Sequence, residues 1–208
     1  MERPLTASRA VTFVPGAAGA GAFWSPVIQR LPATWDIDVP DLPGLGAVPA
    51  RDSIANYDDL VAYVKARIVR PTVLVAQSMG AYIALSVALR HPDAVTHLVL
   101  VAATGGVDVL AHGGVDWRAD YTSAYPTAAS WARASVPDLT ERLHEIDVPV
   151  LLVWATRDVL SPIGVGRAIE ARVRRGSLVT FDSDDHWVAR QFADQFAAAI
   201  ESFVELET

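Results

Sequence analysis

The 208-residue chain contains no cysteine, which removes disulfides, thiol nucleophiles, iron–sulfur clusters and cysteine-bound zinc together. No run reaches the ~18 to 20 uncharged apolar residues that a membrane helix requires. Glu2 and Pro4 stand where the apolar stretch of a secretion signal would begin. A soluble, cytoplasmic protein with no membrane partner is therefore expected. Positive charge is scarce: 17 basic against 24 acidic residues leave a formal net charge of −7. The one basic cluster, Arg172, Arg174 and Arg175, is too short to form a phosphate-binding surface, so nucleic acid is not an expected partner. The five histidines, His91, His97, His112, His144 and His186, lie far apart, and no pair has the H-E-x-x-H spacing of a helical zinc site. No metal is expected, and any catalysis has to use Ser, Asp, Glu, His or backbone amides.

What the chain has in plenty is apolar surface. Hydrophobic residues make up 51% and charged residues only 20%, enough to fill the core of one domain spanning 1–208. Short apolar runs at 10–14, 35–39, 72–76, 96–102, 148–155 and 177–181 mostly lack polar alternation, as strands buried on both faces do. Helical patterns lie between and after them at 22–31, 54–69, 80–90, 162–172 and 188–204. This alternation predicts an α/β fold, a mostly parallel sheet of about six strands with helices on both faces. The interval 105–147 breaks the rhythm, with glycines, Pro126 and aromatics but no strong strand. Too short for a second domain, it reads as an excursion carrying short helices at 117–134 and 139–145.

The segment Thr72-Val-Leu-Val-Ala-Gln-Ser-Met-Gly joins a buried strand directly to an apolar helix, with Ser78 at the join. That is the setting of a nucleophile elbow, where small residues two before and two after the serine let strand and helix approach. Here they are Ala76 and Gly80, so the G-x-S-x-G pattern has one extra methyl.

With this motif the chain resembles the α/β-hydrolase superfamily, and the likeness extends over nearly its whole length. Phe13-Val-Pro-Gly-Ala-Ala-Gly is similar to the family's oxyanion loop, with Pro15 where His is usual; Asp41-Leu-Pro-Gly-Leu-Gly is similar to its D-x-P-G-x-G stretch. The loop Ala155-Thr-Arg-Asp158-Val-Leu-Ser-Pro162 resembles the segment carrying the family's acid, and Asp182-Ser-Asp-Asp-His186 the one carrying its base. The resemblance implies an α/β-hydrolase fold with a triad of Ser78, Asp158 and His186, oxyanion donors at the Ala17 and Met79 amides, and 105–147 as a short cap. It implies further that the family's two leading antiparallel strands are missing and that the pocket is open or lightly covered. Phe23, Trp24, Trp117, Tyr121, Trp131, Leu160 and Trp187 are expected around that pocket.

A serine hydroxyl is a poor nucleophile until a base removes its proton, which is why this chemistry needs all three side chains. The expected activity is hydrolysis of an ester, thioester or lactone of a small molecule through an acyl-enzyme, with no cofactor. Two readings stay open beside it: lyase chemistry of the hydroxynitrile type on the same triad, and a binding or signalling module that keeps the cleft without turnover. Asp182, Asp184 and Asp185 crowd His186 but are too near in sequence to reach its Nδ1, and read as solvating the loop. The Gly16, Gly19 and Gly21 spacing is G-x-x-G-x-G and not the G-x-G-x-x-G of a dinucleotide loop.

Overall fold

The computed structural model describes residues 8–206. Six strands, β1 (Ala10–Val14), β2 (Asp36–Asp38), β3 (Thr72–Gln77), β4 (Val95–Val101), β5 (Val150–Ala155) and β6 (Gly176–Phe181), form one sheet in the order β2-β1-β3-β4-β5-β6. Every neighbouring pair is parallel. The helices are α1 (Ser25–Ile28), α2 (Tyr57–Arg67), α3 (Gly80–Arg90), α4 (Arg118–Ala124), α5 (Ile163–Glu170), α6 (Val188–Gln191) and α7 (Ala193–Leu206). Among the described residues no helix is long and apolar enough to cross a membrane.

The period-2 side-chain alternation of a strand divides the core in two. Leu74 and Ala76, Leu98 and Leu100, Leu152 and Trp154 pack against α2, α3 and α5, while Val73 and Val75, Val99 and Val101, Leu151 and Val153 pack against α1, α6 and α7. Because β2 lies on one side of β1 and β3 on the other, the chain reverses its direction of travel across the sheet between them. A crevice opens at the C-terminal ends of strands at such a point, and the loop after β1 and the turn after β3 both end there.

Most elements fall where periodicity places them, and the departures have local causes. The predicted helix at 22–31 is a 3-10 turn, Gly21–Trp24, followed by the four-residue α1. Pro26 has no N–H to donate and is tolerated only in a first turn, so helix starts afresh around it. The predicted helix at 117–134 stops at Ala124, because Tyr125 precedes Pro126 and leaves the helical region, with φ −129° and ψ 69°. The segment at 139–145 is a 3-10 turn over Thr140–Glu145. The single helix expected over 188–204 breaks at Phe192, whose ring stacks on Phe181 of β6 at 4.6 Å between centroids.

His97 interrupts the apolar run of β4 and is buried, 6% exposed, edge-on to Phe203, with its Nε2 unpartnered among the described residues. Burial, and then the charges of Arg9 and Arg175, lower its pKa from the ordinary 6.5. Between the ordinary and the lowered pKa the unfolded chain binds a proton that the folded chain refuses, so this stability is complete above the ordinary value and is lost as pH falls through the lowered one. Urea denaturation from pH 7.5 down to 5 is expected to show falling unfolding free energy, with a shallower fall in His97→Leu.

Candidate active site

Ser78 occupies the turn between β3 and α3 with φ +54°, in the left-handed region that a side chain rarely adopts. Its N–H donates to the Val101 carbonyl (2.9 Å), and its own carbonyl accepts from Ala81 N (3.0 Å) and Thr104 N (3.1 Å). A Cβ on Gly80 would strike the Pro15 carbonyl, so α3 and the loop after β1 approach only because that residue is glycine. The extra methyl of Ala76 is absorbed in the core.

The strand ends bring the other groups to this hydroxyl. Asp158 follows β5, is 3% exposed, and accepts from the Leu160 (2.8 Å) and Ser161 (3.1 Å) amides on Oδ1. Its other oxygen lies 2.6 Å from His186 Nδ1, and His186 Nε2 lies 2.9 Å from Ser78 Oγ. A carboxylate at Nδ1 selects the tautomer with the proton there, leaving Nε2 to accept from the serine. Ser78, His186 and Asp158 thus form one hydrogen-bonded chain. Ala17 and Met79 flank Ser78, and neither of their N–H groups donates to an acceptor among the described residues.

Serines behind the chain hold its loops in place. Ser161 is fully buried, donates to the Ala103 carbonyl (2.7 Å) and accepts from Trp154 Nε1 (3.0 Å), tying the Asp158 loop to the strand behind Ser78. Ser183 donates to Gln191 Oε1 (2.6 Å) and accepts from Asp185 N (3.0 Å), while its carbonyl accepts from Arg157 N (2.9 Å). The acidic trio is not merely solvation. Asp182 pairs with Arg157, whose hydrogen bond lowers the Asp182 pKa, and Asp185 accepts from the Trp187 amide at 2.8 Å.

A cavity of about 340 Å³ opens above Ser78 and His186. Of the aromatic and aliphatic side chains expected there, Phe23, Trp117, Tyr121, Leu160 and Trp187 line it. Trp24 does not: it is fully buried between Phe13 and Phe196 on the far side of the loop, because the 3-10 turn sends residues 23 and 24 in different directions. Trp131 does not either; its ring packs edge-on against Tyr57 and lines a different cavity beside α2. Tyr125, an aromatic of the same excursion, also lines the cavity above Ser78; sequence reading missed Thr104, whose hydroxyl lies 3.1 Å from Ser78 Oγ, and Asp120 in the wall. With the serine proton committed to His186, it is Thr104 that donates. Its signal was position alone, a polar residue just past the C-terminal end of β4. The cover over the cavity is slight: α4 is its one α-helix, and Trp187 at the rim is 59% exposed.

The chain belongs to the α/β-hydrolase family. A family profile described as alpha/beta hydrolase fold matches residues 9–138, and a second, described as TAP-like protein, matches residues 115–205. The curated relatives include the pimeloyl-(acyl-carrier protein) methyl ester esterase of Neisseria meningitidis serogroup B, 30% identical over an alignment covering 86% of each chain. The enzyme of the same name from Aliivibrio salmonicida is 23% identical over 90% of this chain and 88% of its own. Among solved structures, MenH from S. aureus superposes with a TM-score of 0.79 at 16% identity, covering 100% of this chain and 97% of its own. A thermophilic esterase from Thermogutta terrifontis gives 0.78 at 18%, over 96% and 90%.

Removing the Ser161 hydroxyl would orphan two buried groups, the Ala103 carbonyl and the Trp154 N–H, each worth about 1 to 3 kcal/mol when left unpaired. Ser161→Ala is expected to lower the unfolding free energy by about 2 to 6 kcal/mol in urea titration, with no change in the oligomeric state of the folded fraction.

Proposed function

We propose that the protein is a serine carboxylesterase that cleaves the ester of a small, mostly apolar acid through an acyl-enzyme on Ser78. The observation that carries this reading is the unbroken chain of hydrogen bonds from Ser78 through His186 to Asp158 at the floor of the cavity. The names of the curated relatives, methyl ester esterases, agree with it.

In this reading Ser78 Oγ attacks the ester carbonyl while His186 Nε2 takes its proton. Asp158, held by two backbone amides, keeps the imidazole aligned and offsets the positive charge that develops on it. The negative charge forming on the carbonyl oxygen is met by the N–H groups of Met79 and Ala17, with the N-terminus of α3 adding positive potential. His186 returns the proton to the departing alkoxide, the alcohol leaves, and a water activated by the same imidazole releases the acid. Each step draws on the chain's own groups. The aromatic wall suits an apolar acyl chain, and the slight cover leaves room for an extended one. A methyl ester as in the relatives, or another small alcohol, is the ester class that fits best.

Incubation with p-nitrophenyl acetate and butyrate is expected to give steady turnover. A fluorophosphonate is expected to label Ser78 once per chain, and an acylated Ser78 is expected to be trapped by mass spectrometry at early times. Ser78→Ala and His186→Ala are each expected to lose at least about 10⁴-fold in kcat. Absence of both turnover and Ser78 adduct would overturn the proposal; turnover of a cyanohydrin without any acyl-Ser78 would point to lyase chemistry in its place.

A further inference from the structure

Tyr121 enters the sequence reading only as an aromatic of the pocket, yet its most specific contacts are made by its hydroxyl. It sits in the middle of α4, 6% exposed. Its O–H donates to the Ala17 carbonyl at 2.9 Å and accepts from the Gly46 N–H at 2.7 Å. These partners lie 104 and 75 residues away in sequence, in two loops that the fold brings under the cover.

Those two loops already lean on each other through backbone. A Cβ on Gly46, whose φ is +56°, would collide with the Ala18 carbonyl; Leu42 N donates to the Gly19 carbonyl at 2.8 Å, and the Asp41 carboxylate accepts from Gly21 N at 2.7 Å. The residues between Gly16 and Gly19 form a turn closed by the Gly19 N–H on the Gly16 carbonyl at 2.9 Å. Ala17 is the first of its two central residues: its N–H shares a peptide plane with the Gly16 carbonyl, which the Gly19 N–H holds, while its own carbonyl lies in the next plane, the one that rotates between turn types. Among the described residues no backbone hydrogen bond inside the turn holds that plane. The restraint comes from α4, through one phenol.

We propose that Tyr121 is a positioning residue that couples the cover to the oxyanion site: with α4 seated, its hydroxyl holds the Ala17 carbonyl and so fixes the turn presenting the Ala17 N–H. This rests on the esterase reading above. A donor whose direction is set before the reaction stabilises the oxyanion without reorganisation, whereas a loosened one loses part of that effect. The loss falls on the transition state and not on ground-state binding, which the apolar wall supplies.

The test compares Tyr121→Phe with Tyr57→Phe. Tyr57 also ties the cover to the body, donating to the Ala132 carbonyl at 2.7 Å, but lies outside the cavity. Tyr121→Phe is expected to lower kcat on p-nitrophenyl butyrate about tenfold, with KM within about twofold, and to weaken an aryl trifluoromethyl ketone, which forms an oxyanion on Ser78, by the same factor. Tyr57→Phe is expected to lower the melting temperature and leave kcat and ketone affinity near those of the unsubstituted protein. Equal behaviour of the two variants, or a Tyr121→Phe protein with unchanged kcat and ketone affinity, would overturn the proposal.

Should Tyr121→Phe not fold, coupling is read in the unsubstituted protein. Binding of the ketone is then expected to slow hydrogen exchange at the Gly46 N–H by at least about threefold more than at the Ala132 N–H, since linkage acts in both directions. Equal slowing at both amides would overturn the proposal. The unsubstituted protein in the same assays separates the two failures: no turnover and no Ser78 adduct retires the esterase reading, whereas an active protein indifferent to the Tyr121 hydroxyl retires only the coupling.

Discussion

The backbone of Ser78 is held in a left-handed conformation that a non-glycine residue adopts at a cost of about 1 to 3 kcal/mol. Such a conformation survives only where the surroundings over-determine it. Here carbonyl and amide contacts from β4, α3 and the segment after β4 clamp the residue on both sides, and Gly80 permits the close approach of α3 to the loop after β1. The geometry of the site follows from this turn. It lifts the hydroxyl off the end of β3 to the level at which His186 can reach it, and it places Met79 N at the same edge. Ala102, just past β4, is also left-handed, at φ +43°, so strain is concentrated on the two adjacent strands that meet beneath the cavity.

Around that turn, the side chains of the proposed mechanism are supported by hydroxyls and backbone more than by charge. Asp158 is buried with two amides on one oxygen and the imidazole on the other, which compensates a carboxylate that burial would otherwise make expensive. Ser161 and Ser183 pin the loops of the acid and the histidine to each other and to the sheet. Arginine–carboxylate pairs such as Arg30 with Asp194 or Arg174 with Asp147, by contrast, lie at the surface, where pairs contribute little. The precision of the site therefore depends on short-range, directional contacts in a desolvated setting.

The cover is made of short, irregular pieces, one two-turn helix and several 3-10 turns between β4 and β5. Its aromatic residues do two different jobs. Trp117 and Tyr125 face the cavity, Trp131 and its partner Tyr57 seat the cover on α2, and Tyr121 does both, its ring in the wall and its hydroxyl on the loops below.

The inner strands could be read from runs of Val, Leu and Ile, because a strand buried on both faces admits almost nothing else, whereas the edge strands β2 and β6 carry polar residues and are only partly buried; the order of Ser78, Asp158 and His186 along the chain followed from the strand ends they occupy. Helix boundaries were legible where a glycine or a cap marks them, as at Gly80, and misjudged where a proline next in sequence ended a pattern that looked continuous, as at Tyr125 before Pro126. What local pattern could not contain was direction. Trp24 and Phe23 are neighbours in sequence, and only the turn that seats one in the core and the other in the cavity distinguishes them. Thr104 carries no motif, and its place beside Ser78 arises because β3 and β4 are adjacent. The double role of Tyr121 needs three segments far apart in sequence to converge on one oxygen. Composition and periodicity report which residues must leave water; which of them meet depends on contacts between distant segments, and those exist only once the sheet has brought its strand ends together.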